Sequence, residues 1–208
     1  PNPIIQIRNS QGDTVEGLTK PVKSRVLSAE LAFLMTDILA DPQARIMGFG
    51  NSLTLTLENR AAAVKTGTTN DFRDALTVGY TPQRVVAVWV GNADRIEMDG
   101  VSGSKGAGPI WNKVMKFAHR NLPAIAFARP TGLLEADIDP VSGLIPGKYT
   151  PQTMKEYFIP GTIPDRRDYY HQPIRIHEPS GKRAGPTTPT DEVTVQTFPV
   201  LPPEASKW

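Results

Sequence analysis

The residues best suited to chemistry are Lys65-Thr66-Gly67-Thr68-Thr69, closing the short apolar run that begins at Ala61. A lysine followed by hydroxyls and a glycine at a strand end offers an ammonium, side-chain donors and accessible backbone N–H groups in a small volume. All of these favour a carboxylate or an oxyanion. An ammonium and a carboxylate about 4 Å apart attract by about 4 kcal/mol at an effective dielectric of about 20, before desolvation is subtracted. That is enough to orient a substrate's free carboxylate. Gly67 lacks the Cβ that would hold another backbone away, so an extended peptide can pair along this strand. For a bare Lys-Thr-Gly tripeptide a plainer reading, a solvated lysine before an ordinary turn, stands beside this one.

The other candidates carry less chemistry. Ser102-Gly103-Ser104-Lys105 has the Ser-x-x-Lys spacing of a nucleophile and its base. That pair needs the rigid i, i+3 geometry of a helix, which a glycine-rich loop does not supply. The same stretch, residues 100–108 leading into a helix near Pro109, is also a conceivable phosphate cradle. It fits neither Gly-x-x-x-x-Gly-Lys-Ser/Thr nor Gly-x-Gly-x-x-Gly. Asp71 and Asp74 flank Arg73 and read as a local ion pair or turn cap rather than an acid–base couple. His119, His171 and His177 show no i, i+4 or neighbouring ligand pattern, so neither a metal nor another cofactor is expected. The absence of cysteine excludes disulfides and thiolate chemistry.

These residues need elements to hold them. Ser28 is placed to cap a helix whose apolar stripe is Leu31, Leu34, Met35, Ile38 and Leu39, with Asp41-Pro42 as its stop. Residues 61–65, 75–80 and 84–90 read as short strands, the last two joined by Thr81-Pro82-Gln83 as an antiparallel hairpin. Val85-Val86-Ala87-Val88-Trp89-Val90 is apolar on both faces, which predicts a strand covered on both sides, inside the sheet rather than at its edge. Pro109 suits the first turn of a second helix with Ile110, Trp111, Val114, Met115 and Ala118 buried, and Trp89 and Trp111 read as core. The fold class expected is α+β, an antiparallel sheet flanked by helices.

Of the 20 prolines, 14 fall from Pro123 onward, which divides the chain into 1–122 and a Pro/Gly-rich, β-rich extension over 123–208. In that extension Ile138, Ser142, Gly143, Gly147, Thr150 and Pro151 recur 38 positions later as Ile176, Ser180, Gly181, Gly185, Thr188 and Pro189. Each unit reads as a short strand, a Ser-Gly turn and a return. With 23 Lys+Arg against 21 Asp+Glu and no block of like charge, the field that attracts nucleic acid is missing, and nucleic acid is not an expected partner. The apolar runs are far too short to cross a bilayer. The chain opens at Pro1 with no leader pattern and reads as cut from something longer.

In context the Lys-Thr-Gly motif extends to Ala62-Ala63-Val64-Lys65-Thr66-Gly67-Thr68-Thr69-Asn70-Asp71-Phe72-Arg73-Asp74-Ala75, followed by Val78-Gly79-Tyr80-Thr81-Pro82 and Val88-Trp89-Val90-Gly91-Asn92. This run closely resembles the transpeptidase domain of class A, bifunctional penicillin-binding proteins. Val26-Leu27-Ser28-Ala29-Glu30, Val101-Ser102-Gly103 and residues 106–111 continue the likeness over roughly residues 3–120. Residues 156–162 and Val200-Leu201-Pro202-Pro203-Glu204-Ala205 resemble extensions found beyond that domain, which often carry cysteines that this chain lacks.

The resemblance implies the C-terminal part of a serine β-lactamase/DD-transpeptidase-like fold, followed by a small β-hairpin appendage. It implies acyl transfer from D-Ala-D-Ala stem peptides of peptidoglycan through an acyl-serine, β-lactams as mimics, and an extracytoplasmic site anchored through a segment outside this chain. Carried onto matching positions, Lys65 supplies positive potential, and Thr66 and Thr68 hold the substrate carboxylate beside Gly67 and Thr69. The Thr68 N–H is one oxyanion donor. The family order places the serine upstream of Lys-Thr-Gly, and this chain has no Ser-x-Asn, so nucleophile and base are expected in an upstream part and this piece alone is expected to be inactive. A different class of function, a non-catalytic wall-binding or partner-docking module, is suggested by the repeat in the extension.

Overall fold

Ser28 opens the first helix by accepting the Leu31 N–H on its hydroxyl at 3.2 Å, a purely local bond that satisfies one of the orphan donors of a helix start. The computed structural model describes residues 6–15, 24–50 and 53–200. In it α1 spans Ala29–Ala40 and α2 spans Pro42–Phe49. Asp41 serves both. Its N–H bonds the Asp37 carbonyl at the end of α1, and its Oδ1 accepts the Gln43 N–H at 2.7 Å to begin α2.

Three strands follow: β1 (Ala63–Thr68), β2 (Asp74–Tyr80) and β3 (Val85–Gly91), antiparallel in the order β1-β2-β3. The β2–β3 turn is held by Thr81, whose N–H bonds the Arg84 carbonyl while its hydroxyl accepts the Gln83 and Arg84 N–H groups at 3.1 Å. Helix α3 (Ala107–Ala118) packs on one face of this sheet. The core there is Leu55, Leu57, Ala62, Val64, Trp111 and Met115, with Val86 and Val88 against it. Trp111 lies so close over Gly79 that a Cβ there would meet its ring. Asn112 is buried with its amide donating to the Leu53 and Thr56 carbonyls, which ties the segment before β1 to the helix.

Beyond residue 122, β4 (Leu134–Ile138) pairs antiparallel with β5 (Met154–Phe158). A second three-stranded sheet has the order β7-β6-β8, from β6 (His171–His177), β7 (Lys182–Arg183) and β8 (Val193–Pro199). The architecture is thus α+β with antiparallel sheets. At both Ser-Gly turns the same bonds form. Gly143 N–H reaches the Asp139 carbonyl and Gly181 N–H the His177 carbonyl; Gly147 donates to the Thr150 hydroxyl and Gly185 to the Thr188 hydroxyl. Both turn glycines have positive φ, +69° and +64°. The returns differ: after Gly181 the chain pairs back on β6, whereas after Gly143 it makes a parallel bridge from Ile145 to Arg167.

Several apolar residues lie differently from the pattern expected. β3 is an edge strand, not a central one, and Val85, Trp89 and, on β2, Leu76 and Val78 are exposed on the face away from α3. Trp89 is therefore not core; it is 51% exposed and its indole N–H bonds Asp74 Oδ1 at 2.8 Å. On α3 the buried stripe is Gly108, Trp111, Asn112 and Met115, while Ile110 and Val114 face outward with Phe117. On α1 the buried residue is Thr36, bonded to the Tyr80 hydroxyl, and Leu31, Met35 and Ile38 are exposed. In each case the element has apolar residues on two faces and this chain packs only one. Among the described residues no helix is long and apolar enough to cross a membrane. The run from Leu201 to Ala205 lies outside the described residues.

Candidate functional site

Lys65, Thr66, Gly67 and Thr68 are the last four residues of β1, so the strand runs on through the motif rather than stopping at Lys65. Cross-strand pairs share a face, and the register pairs Lys65 with Val78, Thr66 with Thr77, Gly67 with Leu76 and Thr68 with Ala75. Lys65 and Gly67 therefore point to the exposed face with Val78 and Leu76, and Thr66 and Thr68 to the α3 face with Thr77 and Ala75. The motif does not gather on one face. What meets at the outer edge of β1 is the Lys65 ammonium and the backbone of Thr66 and Thr68. Because Thr69 N–H bonds the Asp74 carbonyl, antiparallel alternation gives the pairing bonds toward β2 to Lys65 and Gly67. It leaves the N–H and C=O groups of Thr66 and Thr68 directed outward.

Lys65 curls over this edge, with Nζ 2.6 Å from the Thr66 carbonyl oxygen. No carboxylate lies within ion-pair distance of it among the described residues. Its side chain is exposed, as are Thr68 and Thr69, while Thr66 and Gly67 are half-buried. Thr68 Oγ1 accepts the Gly103 N–H at 3.0 Å, and Gly103 is pinned by the buried Thr77 hydroxyl donating to its carbonyl at 3.0 Å. With one lone pair occupied, the Thr68 hydroxyl still has a proton to donate. Thr69 turns the chain: its hydroxyl accepts the Asp74 N–H at 2.7 Å and donates to Asp74 Oδ2 at 3.1 Å. A shallow groove beside it is lined by Thr68, Thr69, Asn70, Asp71, Arg73 and Arg95. Arg73 pairs with Glu97 at 3.0 Å and Asp71 at 3.7 Å, so Asp71, Arg73 and Asp74 are all engaged in turn and ion-pair bonds. Such an edge can take an extended peptide by strand addition, with Lys65 and the Thr68 hydroxyl at its acid end.

The Ser102 and Lys105 pair sits on a turn, with Lys105 N–H and Gly106 N–H on the Ser102 carbonyl and Ser102 Oγ against Ser104 Oγ at 3.1 Å. Gly103 is where it is for close approach: a Cβ there would collide with the carbonyls of Gly67 and Leu76.

The chain is 33% identical over 180 residues to penicillin-binding protein 1A of Clostridium botulinum, strain Langeland, covering 84% of this chain and 21% of that protein. To penicillin-binding protein 1A of Pseudomonas aeruginosa it is 35% identical over 170 residues, 81% of this chain and 19% of the relative. The crystal structure of penicillin-binding protein 1A from Haemophilus influenzae superposes with a TM-score of 0.60 at 31% identity, over 72% of this chain and 23% of that one. The chain belongs to the penicillin-binding protein 1A family. The profile of the penicillin-binding protein 1A C-terminal domain matches residues 129–173, which run from before β4 to the start of β6. The chain spans about a fifth of the length of the curated penicillin-binding protein 1A relatives it matches.

That C-terminal domain contains a cluster the sequence reading missed. His171 does have ligand-type neighbours: Asp168 Oδ2 at 2.8 Å and Asp139 Oδ2 at 3.1 Å from its Nδ1, with both carboxylates wholly buried. Burial works to raise the Asp168 carboxyl, but hydrogen bonds from His171, Thr150, the Tyr170 N–H and Ser142 outweigh it and take the pKa down to about 2. Asp168-x-x-His171 was visible as a spacing; Asp139 is brought in only by the fold. His119 and His177 have other partners. His119 bridges the Met115 carbonyl and the Thr81 hydroxyl at 2.8 and 2.9 Å, and His177 bridges Ser180 and Glu192.

Proposed function

We propose that this chain supplies the Lys-Thr-Gly strand of a peptidoglycan DD-transpeptidase, in which the outer edge of β1 receives the D-Ala-D-Ala end of a stem peptide or the β-lactam that mimics it. The observation that carries the reading is the open edge of β1 with Lys65 folded over it and the Thr68 hydroxyl held by Gly103. In this arrangement Lys65 provides positive potential and the Thr66 and Thr68 hydroxyls hold the substrate carboxylate. Thr68 N–H donates to the oxygen that becomes negative during acyl transfer. Gly67 keeps the approach free of a Cβ, and Thr69 holds the following turn.

The serine nucleophile and its base come from an upstream part of the transpeptidase domain. The support for this is chemical and geometric. Ser102 and Lys105 lie on a turn rather than one helix face, and three apolar faces stand bare: Leu76, Val78 and Trp89 on the sheet, Leu31, Met35 and Ile38 on α1, and Ile110, Val114 and Phe117 on α3. The upstream part covers these faces and completes a β-lactamase-like domain outside the cytoplasmic membrane, anchored through a segment beyond this chain. Residues 123–208 form the extension after that domain.

Fluorescent penicillin added to this chain and to the complete protein tests the reading. Labelling is expected only in the complete protein and is expected to fall steeply in its Lys65→Ala and Thr68→Val variants. Unchanged labelling in both variants removes the assignment of this strand, and labelling of the chain alone removes the upstream nucleophile.

A further inference from the structure

The buried cluster below the end of β4 has nothing to do with that strand edge. Asp139 closes β4 and uses Oδ1 to accept the N–H groups of Val141 and Ser142 at 2.9 and 2.7 Å. Asp168 uses Oδ1 to accept the Tyr170 N–H at 3.0 Å, and its Oδ2 accepts the Thr150 hydroxyl at 2.9 Å. Gly147 presses on the Asp168 backbone where a Cβ would collide with its carbonyl. Both carboxylates are thus fixed from behind, with Asp139 Oδ2, Asp168 Oδ2 and His171 Nδ1 turned inward within 4.8 Å of one another.

The polar groups in this space are not all satisfied. The Asp139 and Asp168 side chains have 0% exposure and that of His171 has 4%. His171 Nδ1 carries at most one proton, and Asp168 Oδ2 takes it at 2.8 Å. Asp139 Oδ2, 3.1 Å from the same nitrogen, is buried without a hydrogen bond. It is the one carboxylate oxygen so placed among the described residues. Two carboxyl groups are thus enclosed with a single imidazole, and one carboxyl oxygen has no donor. Buried carboxyl groups of this kind are hydrogen-bonded, paired or coordinate a metal.

We propose that Asp139, Asp168 and His171 form a zinc site, with water as fourth ligand. Two carboxylate oxygens and one imidazole nitrogen are ligands zinc takes at about 2.0–2.2 Å in tetrahedral geometry, which sets neighbouring donor atoms roughly 3.3 Å apart. The spacings of 2.8 and 3.1 Å from Nδ1 are within about half an ångström of that. A divalent ion neutralises both carboxylates and uses the free Asp139 oxygen. The bonds from Val141, Ser142, Tyr170 and Thr150 serve as the outer shell that orients such ligands. The ion would join the end of β4, the segment before β6 and the first residue of β6. It does not depend on the acyl-transfer reading.

The test uses the whole 208-residue chain, stripped with EDTA and titrated with zinc against a fluorescent chelator, with metal content measured on the re-purified protein. One zinc per chain is expected, with a rise in Tm that EDTA reverses. Asp139→Asn and His171→Gln, which remove direct ligands, are expected to weaken binding by more than about a hundredfold, beyond the loss of about tenfold to a hundredfold typical of an outer-shell partner, and His177→Gln to leave it unchanged. Folded wild-type chain that binds no zinc overturns the site whether or not the variants fold. So does stoichiometric zinc that is lost in His177→Gln and kept in His171→Gln.

Discussion

Gly103 donates its backbone N–H to Thr68 Oγ1 across 35 residues of chain, at 3.0 Å. The bond exists because Gly103 can lie against the backbone of β1 and β2, where its Cα faces the carbonyls of Gly67 and Leu76. It couples the loop before α3 to the hydroxyl assigned to the substrate.

Gly103→Ala therefore has two readouts. A methyl colliding with two backbone carbonyls pushes the loop out and breaks the Thr77 and Thr68 bonds, at about 2–3 kcal/mol of stability in chemical denaturation. In the complete protein the displaced Thr68 hydroxyl is expected to slow acylation by fluorescent penicillin by about a hundredfold. Thr77→Val removes the pin on the Gly103 carbonyl and is expected to cost about 1–2 kcal/mol. A Gly103→Ala variant with unaltered stability and acylation would contradict this account of the loop.

Gly79 is the counterpart in the core. A Cβ there would stand 2.7 Å from Trp111 Cε2 and 2.9 Å from the Ala63 carbonyl oxygen. Neither the indole nor the strand can yield cheaply, so Gly79→Ala is expected to lower stability by about 3 kcal/mol, measured by urea unfolding.

What could be read from residue order was whatever depends on near neighbours. The Ser28 cap, the Asp41-Pro42 break and the Thr81 hairpin turn each rest on bonds spanning two to four residues, and each has a residue type suited to one geometry. The Lys-Thr-Gly strand was legible for the same reason. The positions of Trp89, Ile110 and Met35 were not, because an apolar residue shows that some face is to be buried without showing which partner is on hand to bury it. The alternation of β1 was overlooked in placing Lys65 beside both threonine hydroxyls; period-two geometry separates them and leaves the ammonium and the threonine backbone to meet at the edge. Asp139 was invisible as a neighbour of His171 because β4, β5 and the Ile145–Arg167 bridge must form before the two approach.

Asp37, in the last turn of α1, makes a prediction about pH. Burial first, then the charges of Glu156 and Asp41, hold its carboxyl above the ordinary value. A carboxyl with a folded pKa above its unfolded one costs stability when ionised and is relieved as pH falls through the raised folded value. Asp37→Asn is therefore expected to raise Tm at pH 7, and the gain should fade as pH falls through the raised folded value, where the wild-type carboxyl takes up its proton, and be gone by about pH 4. Equal gains at both pH values would rule out ionisation as the cause.

The outer edge of β3 also has a consequence in solution. Its N–H and C=O groups at Val85, Ala87 and Trp89 point away from β2, and Val85 is 69% exposed beside them. A second copy of the same polypeptide can zip onto that unprotected rim and offer another in turn. Kept in concentrated solution by itself, the chain should grow into ribbon-like aggregates, and Val85→Lys should hold it monomeric.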